Sequence, residues 1–179
     1  MTEQKVSYRY ALALLETAKL EGVVENIYND LKFIRHTIEQ SKDLKNLTFS
    51  PVIPFWRKKK IYEEIFSGKL NSLTMKFITL LSNKRRERLL PDICYQYEAQ
   101  FDELNNILPV EIETAVDLSD VIKLKIVQKI EKQTNKKVIP DFKINISMKG
   151  GLLVKIQDWV FDASLKNQLE ILFKKLSTD

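Results

Sequence analysis

Apolar residues return every three or four positions from the N-terminus to about Asn105, and every second position soon after Ile107. Helices are therefore expected first and strands later. From about Lys5 to Glu21, Tyr8, Ala11, Leu12, Leu15 and Ala18 make one stripe, with Tyr10, Ala13 and Leu14 beside or outside it. That helix is apolar on more than one face, and Gly22 suits its end. A second helix, about Val23 to Gln40, carries a narrow seam of Val24, Ile27, Leu31, Ile34 and Ile38. Ser41 to Leu47 suits a short helix. Ser50 to Pro54 must be extended, because each proline disfavours helix in the residue before it. A helix restarts at Pro54, burying Ile61, Ile65 and Phe66 before Gly68. Ser72 can cap the next helix, to about Asn83, where Leu73, Met75, Phe77, Ile78, Leu80 and Leu81 occupy nearly the whole circumference. Arg86 and Arg88 lead into a long helix with Leu90, Ile93, Tyr97, Phe101 and Leu104 in register.

The period then changes. Val110, Ile112, Thr114 and Val116 alternate as a strand, and a helix starting at Leu118-Ser119 carries Ile122, Ile126, Val127 and Ile130. After Asn135, the residues Phe142, Ile144, Ile146 and Met148 alternate again. Gly150-Gly151, half of the chain's four glycines, then suit a sharp reversal into a strand from Leu152 to Ile156. Gln157-Asp158 predicts a tight turn into Trp159 to Phe161. Asp162 or Ser164 can cap a last helix in which Leu165, Leu169, Leu172 and Leu176 recur at helical spacing. The expected fold is α+β: residues 1–105 as a bundle of five to six helices, then 106–179 as a small α/β domain of strand, helix, strand, hairpin and helix.

Composition narrows the function. The chain has 179 residues, 44% hydrophobic and 30% charged, with no apolar run long enough to span a bilayer. Its start lacks the apolar core of a secretory signal. The single cysteine, Cys94, excludes an internal disulfide. Lys and Arg total 29 against 24 Asp and Glu, a balance closer to a solvated surface than to a phosphate-tracking groove.

Catalytic chemistry is hard to place. His36 has no second histidine or cysteine at ligand spacing, so no metal site is expected. Cys94 lies on an apolar stripe without an activating base. Asp158 and Asp162 flank the hairpin, where a turn and a cap account for them. The glycine pair precedes a strand rather than a helix, unlike a phosphate loop, and no dinucleotide or zinc pattern occurs, so no cofactor is expected. For nucleic acid, Arg57 to Lys60 and Arg85-Arg86-Glu87-Arg88 are the best features, and both lack interleaved stacking aromatics. A helical nucleic-acid-binding protein with an accessory α/β domain, and a small-molecule enzyme with a pocket near Asp158 and Asp162, remain open alternatives.

The apolar excess on the first and fifth helices points elsewhere. A domain of this size fully buries few helices, so a second apolar face on each suggests a groove for a partner's amphipathic helix. Tyr8 to Ala18 resembles the opening helix of the delta subunit of bacterial F-type ATP synthases, the equivalent of the mitochondrial oligomycin-sensitivity-conferring subunit. Ser50-Pro51, Phe77 to Leu81 and Lys84 to Ile93 are similar to that family's middle signature. Gly150 to Leu169 resembles its closing glycine, hairpin, Asp-x-Ser and helix pattern. Gln157, Ala163 and Arg85 stand where the family often has glycine.

The resemblance implies a connector without catalysis of its own. Its N-terminal domain would sit on the catalytic head and grip N-terminal helices of the alpha subunits. Its C-terminal domain would hold the C-terminal end of the b-subunit stalk, bracing the complex against rotor torque during proton-driven ATP synthesis. A single peripheral copy per complex is implied, at the cytoplasmic face of the plasma membrane, without insertion or nucleic acid. By position, Tyr10, Ala13, Leu14, Phe77 and Leu80 match residues lining the alpha-subunit groove. Gly150, Gly151, Asp162 and Ser164 match structural positions of the C-terminal domain.

Overall fold

The computed structural model describes residues 3–156 and 159–176. Helices come first, then strands mixed with helices, making an α+β chain. It divides into two compact units, Met1–Phe101 and Asp102–Asp179.

The first unit is a bundle of α1 (Glu3–Glu21), α2 (Val24–Gln40), α3 (Lys42–Phe49), α4 (Phe55–Phe66), α5 (Ser72–Asn83) and most of α6 (Leu90–Leu104). A 3₁₀ turn at Glu87–Leu89 leads into α6. The seam expected on α2 is its buried face: Ile27, Leu31, Ile34 and Ile38. On α1 the stripe is rotated from the expected one. Ser7, Ala11, Leu14, Leu15 and Ala18 are buried, whereas Tyr8 and Leu12 are exposed. Ser7, Ala11 and Ala18 give that seam small residues, and Leu14 and Leu15 fill the rest of it.

Several polar groups of the bundle have partners, while the buried Ser7 and Ser82 hydroxyls have none. Tyr62 shares a hydrogen bond of 2.9 Å with Thr48, and burial pushes its hydroxyl up to about 12. Arg35 on α2 grips Glu98 on α6 through both carboxylate oxygens, at 2.9 and 3.0 Å. The start of α5 differs from expectation: Asn71, not Ser72, is its cap, its side chain accepting from the Leu73 amide at 2.9 Å. Asp30 on α2 adds a second clamp, accepting from the Asn71 amide at 2.7 Å and the Thr74 hydroxyl at 2.6 Å.

The second unit is built on a four-stranded sheet in the order β2-β1-β3-β4. These are β1 (Ile107–Thr114), β2 (Lys137–Ile144), β3 (Leu152–Ile156) and β4 (Trp159–Asp162), with α7 (Asp120–Thr134) between β1 and β2 and α8 (Leu165–Leu176) last. β1 and β2 are parallel, so a crossover is required, and α7 supplies it. β2 begins earlier than the alternation from Phe142 predicts and ends before Met148. Asn145 explains the stop: its side chain accepts from the Ser147 amide at 3.2 Å and folds Ile146–Met148 into a 3₁₀ turn. Pro140 hid the start, since proline argues against a strand in the middle of a sheet but is tolerated at an edge, where β2 lies.

One sheet face is apolar. Leu108, Val110, Ile112, Val138 and Val154 are buried there, with Ile126, Val127 and Ile130 of α7 packed on them. The opposite face is ionic: Glu111 bonds Lys143 and Lys155, and Glu113 bonds Lys155 and Asn145. β3 and β4 pair antiparallel. The turn expected at Gln157-Asp158 lies outside the described residues.

Candidate partner-docking surfaces

On the helical unit the question is which apolar groups stay open once the core is filled. On α1, Val6, Tyr10, Ala13 and Thr17 follow one another at four, three and four, and so share a face. On α5, Leu73, Phe77, Leu80 and Lys84 repeat that spacing. The two rows meet where the Tyr10 ring stands edge-on to Phe77, with centroids 6.3 Å apart and planes at 67°. The expected groove residues separate by depth. Leu14, at 3% exposure, belongs to the core, and Phe77 is buried at 9%. Tyr10 is half-buried, and Ala13 and Leu80 are exposed. The open part is thus a strip of Tyr10, Ala13 and Leu80, with Phe77 buried beside Tyr10.

Sequence reasoning missed how α5 is fixed in that position, because the Asp30 clamp joins residues far apart in the chain. Beyond α5 the backbone turns through Arg85, in the left-handed region at φ 56°. A glycine is more comfortable there, in keeping with Arg85 standing at a position where glycine was expected from the resemblance.

In the second unit, Gly150, Gly151, Asp162 and Ser164 come together. Gly151 has φ +80°, and a Cβ built on it would lie 2.2 Å from the Ala163 carbonyl oxygen and 3.0 Å from the Ser164 Cα. Only glycine fits. The Gly150 carbonyl accepts from the Leu165 amide at 3.0 Å, tying the reversal to the start of α8. Ser164 caps that helix, its hydroxyl accepting from the Asn167 amide at 3.2 Å. Asp162 instead makes the turn before it, accepting from the Ser164 amide at 2.8 Å, and bonds from Ser164 hold its carboxyl below the usual range.

Large apolar side chains also lie open in this unit. Phe161 pairs with Val154 and so shares its face of the sheet, yet Phe161 is 54% exposed and Trp159 70%. On α8, Leu165, Leu169, Leu172 and Phe173 are all exposed. Their spacing was visible in the sequence, but an amphipathic pattern tells which side is apolar, not whether the same chain covers it.

Of the other candidate groups, Cys94 and His36 can be placed. Cys94 is fully buried, and burial pushes its thiol up, away from the reactive thiolate. His36 is exposed on α2. Asp158 lies outside the described residues. Among those described, no cluster of His, Cys, Asp or Glu suits a metal ion, and no helix is long and apolar enough to cross a membrane.

Comparison with known proteins is decisive for the family. The model of the ATP synthase delta (OSCP) subunit family matches residues 6–176. The chain belongs to that family. The ATP synthase subunit delta of Chloroherpeton thalassium is 36% identical over 172 residues, covering 96% of this chain and 94% of the relative. That of Moorella thermoacetica is 32% identical over 176 residues, covering 98% of both. In solved structures, a chain of the Toxoplasma gondii mitochondrial ATP synthase hexamer shares the fold, with TM-score 0.77, 19% identity and 98% of each chain covered. The delta (OSCP) subunit is a non-catalytic structural connector of ATP synthase. Neither the nucleic-acid-binding nor the small-molecule-enzyme alternative finds support beside this delta-subunit match.

Proposed function

We propose that each unit holds a different partner, and that the chain works as a tie between them. The helical unit receives an N-terminal helix of the ATP synthase alpha subunits along the strip of Tyr10, Ala13 and Leu80. Ala13 allows close helix approach, while Tyr10 and Leu80 give the apolar contact and Phe77 backs them. The second unit seats the C-terminal end of the b-subunit stalk on Trp159, Phe161 and the apolar face of α8. One copy per complex, at the cytoplasmic face of the plasma membrane, would brace the head against the torque of the rotor during proton-driven synthesis.

The observation that carries this reading is that each unit, with its own core filled, leaves apolar side chains of helical spacing open to solvent. Slow dissociation is what a brace requires, and burying such anchors favours it. The test is a crossed pair of variants in the full chain. Ala13→Asp puts an unpaired charge into the alpha-subunit strip and is expected to weaken alpha binding about tenfold or more, with b binding and helix content kept. Leu169→Asp with Leu172→Asp is expected to do the reverse. Unchanged alpha affinity in Ala13→Asp removes the strip from the site, and unchanged b affinity in the second variant removes α8.

A further inference from the structure

Beside the α1/α5 strip lies a cavity of about 900 Å³, lined by the start of α1, the connection from α3 to α4 and the turn after α5. Its walls are of two kinds. Val6, Phe55 and Trp56 give apolar surface, while Lys58, Lys84, Arg85, Arg86 and Arg88 bring five cations against the carboxylates of Glu3 and Glu87. Two of the cations are already answered. Lys58 and Glu87 form a buried pair at 3.7 Å, and Arg88 is bonded to Glu3. No carboxylate among the described residues pairs with Lys84, Arg85 or Arg86.

All three are exposed at the cavity wall, and Arg85 and Arg86 are held there by neighbouring side chains. Arg86 donates to the Tyr10 hydroxyl at 3.0 Å, Arg85 lies over the Phe55 ring at 5.7 Å, and Lys84 ends α5. The backbone holds Arg85 in a conformation that costs an L residue of this size, and its side chain nevertheless reaches the cavity wall. Continuity with the strip is direct. Val6 and Lys84 belong both to the cavity lining and to the rows that form the strip, and Arg86 bonds Tyr10 within it.

We infer that this cavity receives acidic side chains of the same alpha-subunit segment that docks on the strip, so that Lys84, Arg85 and Arg86 set which helix is accepted and in which direction. The inference rests on the docking reading given above and adds to it a source of specificity. An apolar strip alone grips many amphipathic helices and fixes neither register nor polarity. Three unpaired cations at one end favour a helix with carboxylates at the matching end and repel one with lysines there.

The test uses the full chain and two labelled peptides of the alpha subunit's N-terminal segment. One is the natural sequence, and the other has its Asp and Glu replaced by Asn and Gln. The variant is Lys84→Gln with Arg85→Gly, which removes two charges while giving the left-handed position the residue it suits. At low salt, the natural peptide is expected to bind the variant about fivefold more weakly than the original chain, and raising salt should erase the difference. The neutralised peptide should bind both proteins alike. Equal loss for the two peptides, or no loss for either, overturns the inference and leaves strip docking standing. Failure of both peptides to bind the unaltered chain overturns strip docking as well. A natural segment without acidic residues also overturns the inference.

Discussion

The two units solve the same problem differently. In the helical unit the large side chains of the core, among them Leu31, Tyr62, Phe66, Ile93 and Tyr97, are wholly enclosed, although Leu20, Phe49, Trp56, Leu80 and Tyr95 stay exposed at its surface. In the second unit α7 covers the β1 and β2 side of the sheet, while Trp159, Phe161 and most apolar groups of α8 face solvent. Burying a Leu- or Phe-sized side chain is worth about 1.5–3 kcal/mol, so the first unit has largely spent that gain on its own stability. The second has kept much of it for association. A connector profits from the division: a firm body in one unit and, in the other, a surface completed by what it binds.

The largest effect should come from the one position where the second unit has no slack. Gly151→Asp drives a side chain into the Ala163 carbonyl and is expected to cost about 4 kcal/mol or more, unfolding the sheet unit while the bundle keeps its helices. Hydrogen exchange resolved along the chain would show protection lost after Asp102 and retained before it. Protection retained on both sides would mean that the sheet tolerates what its geometry forbids.

A matched pair of truncations sharpens the contrast. Leu31→Ala opens a cavity in the enclosed bundle and should lower unfolding free energy by about 3 kcal/mol. Leu172→Ala, on the exposed face of α8, should change the free chain by no more than about 0.5 kcal/mol and weaken b binding instead. Denaturant titrations of the two variants give the comparison directly, and similar losses would show that α8 is supported by its own chain.

The smallest effect is acid sensitivity confined to the sheet. Bonds from Lys143 and then Lys155 hold the Glu111 carboxyl down to about 2, and Asn145 and Lys155 hold Glu113 low as well. A carboxylate lowered in the folded state adds stability that is fully present above its unfolded value and is lost as pH falls through the folded one. For Glu111 the window runs from its ordinary 4.5 down to about 2. Glu111→Gln should flatten the acid limb of the sheet unit's melting curve and leave the limb of the bundle unchanged.

Much of this was legible in the residues, and the failures have physical causes. Helix positions followed from spacing, and the switch to alternation at Ile107 marked the first strand. The α1 stripe was misjudged because Ser7 contributes to the seam by being small, which a count of apolar side chains does not register. Pro140 concealed the start of β2, since a strand's place in its sheet is a tertiary fact. Leu14 read as a groove residue because one helix pattern cannot say where a partner's surface begins. The Asp30 clamp and the basic cavity join segments distant in sequence, and no local pattern announces them.

Pro140 has one more effect. It stands in β2, at one margin of the sheet, where a residue without an amide hydrogen leaves a gap in any ladder that another chain continues. The margin at β4 carries no proline. An incoming strand therefore meets on the β2 flank an obstacle that the β4 strand does not present, which biases lateral growth of this sheet, as useful contact or as aggregation, away from β2.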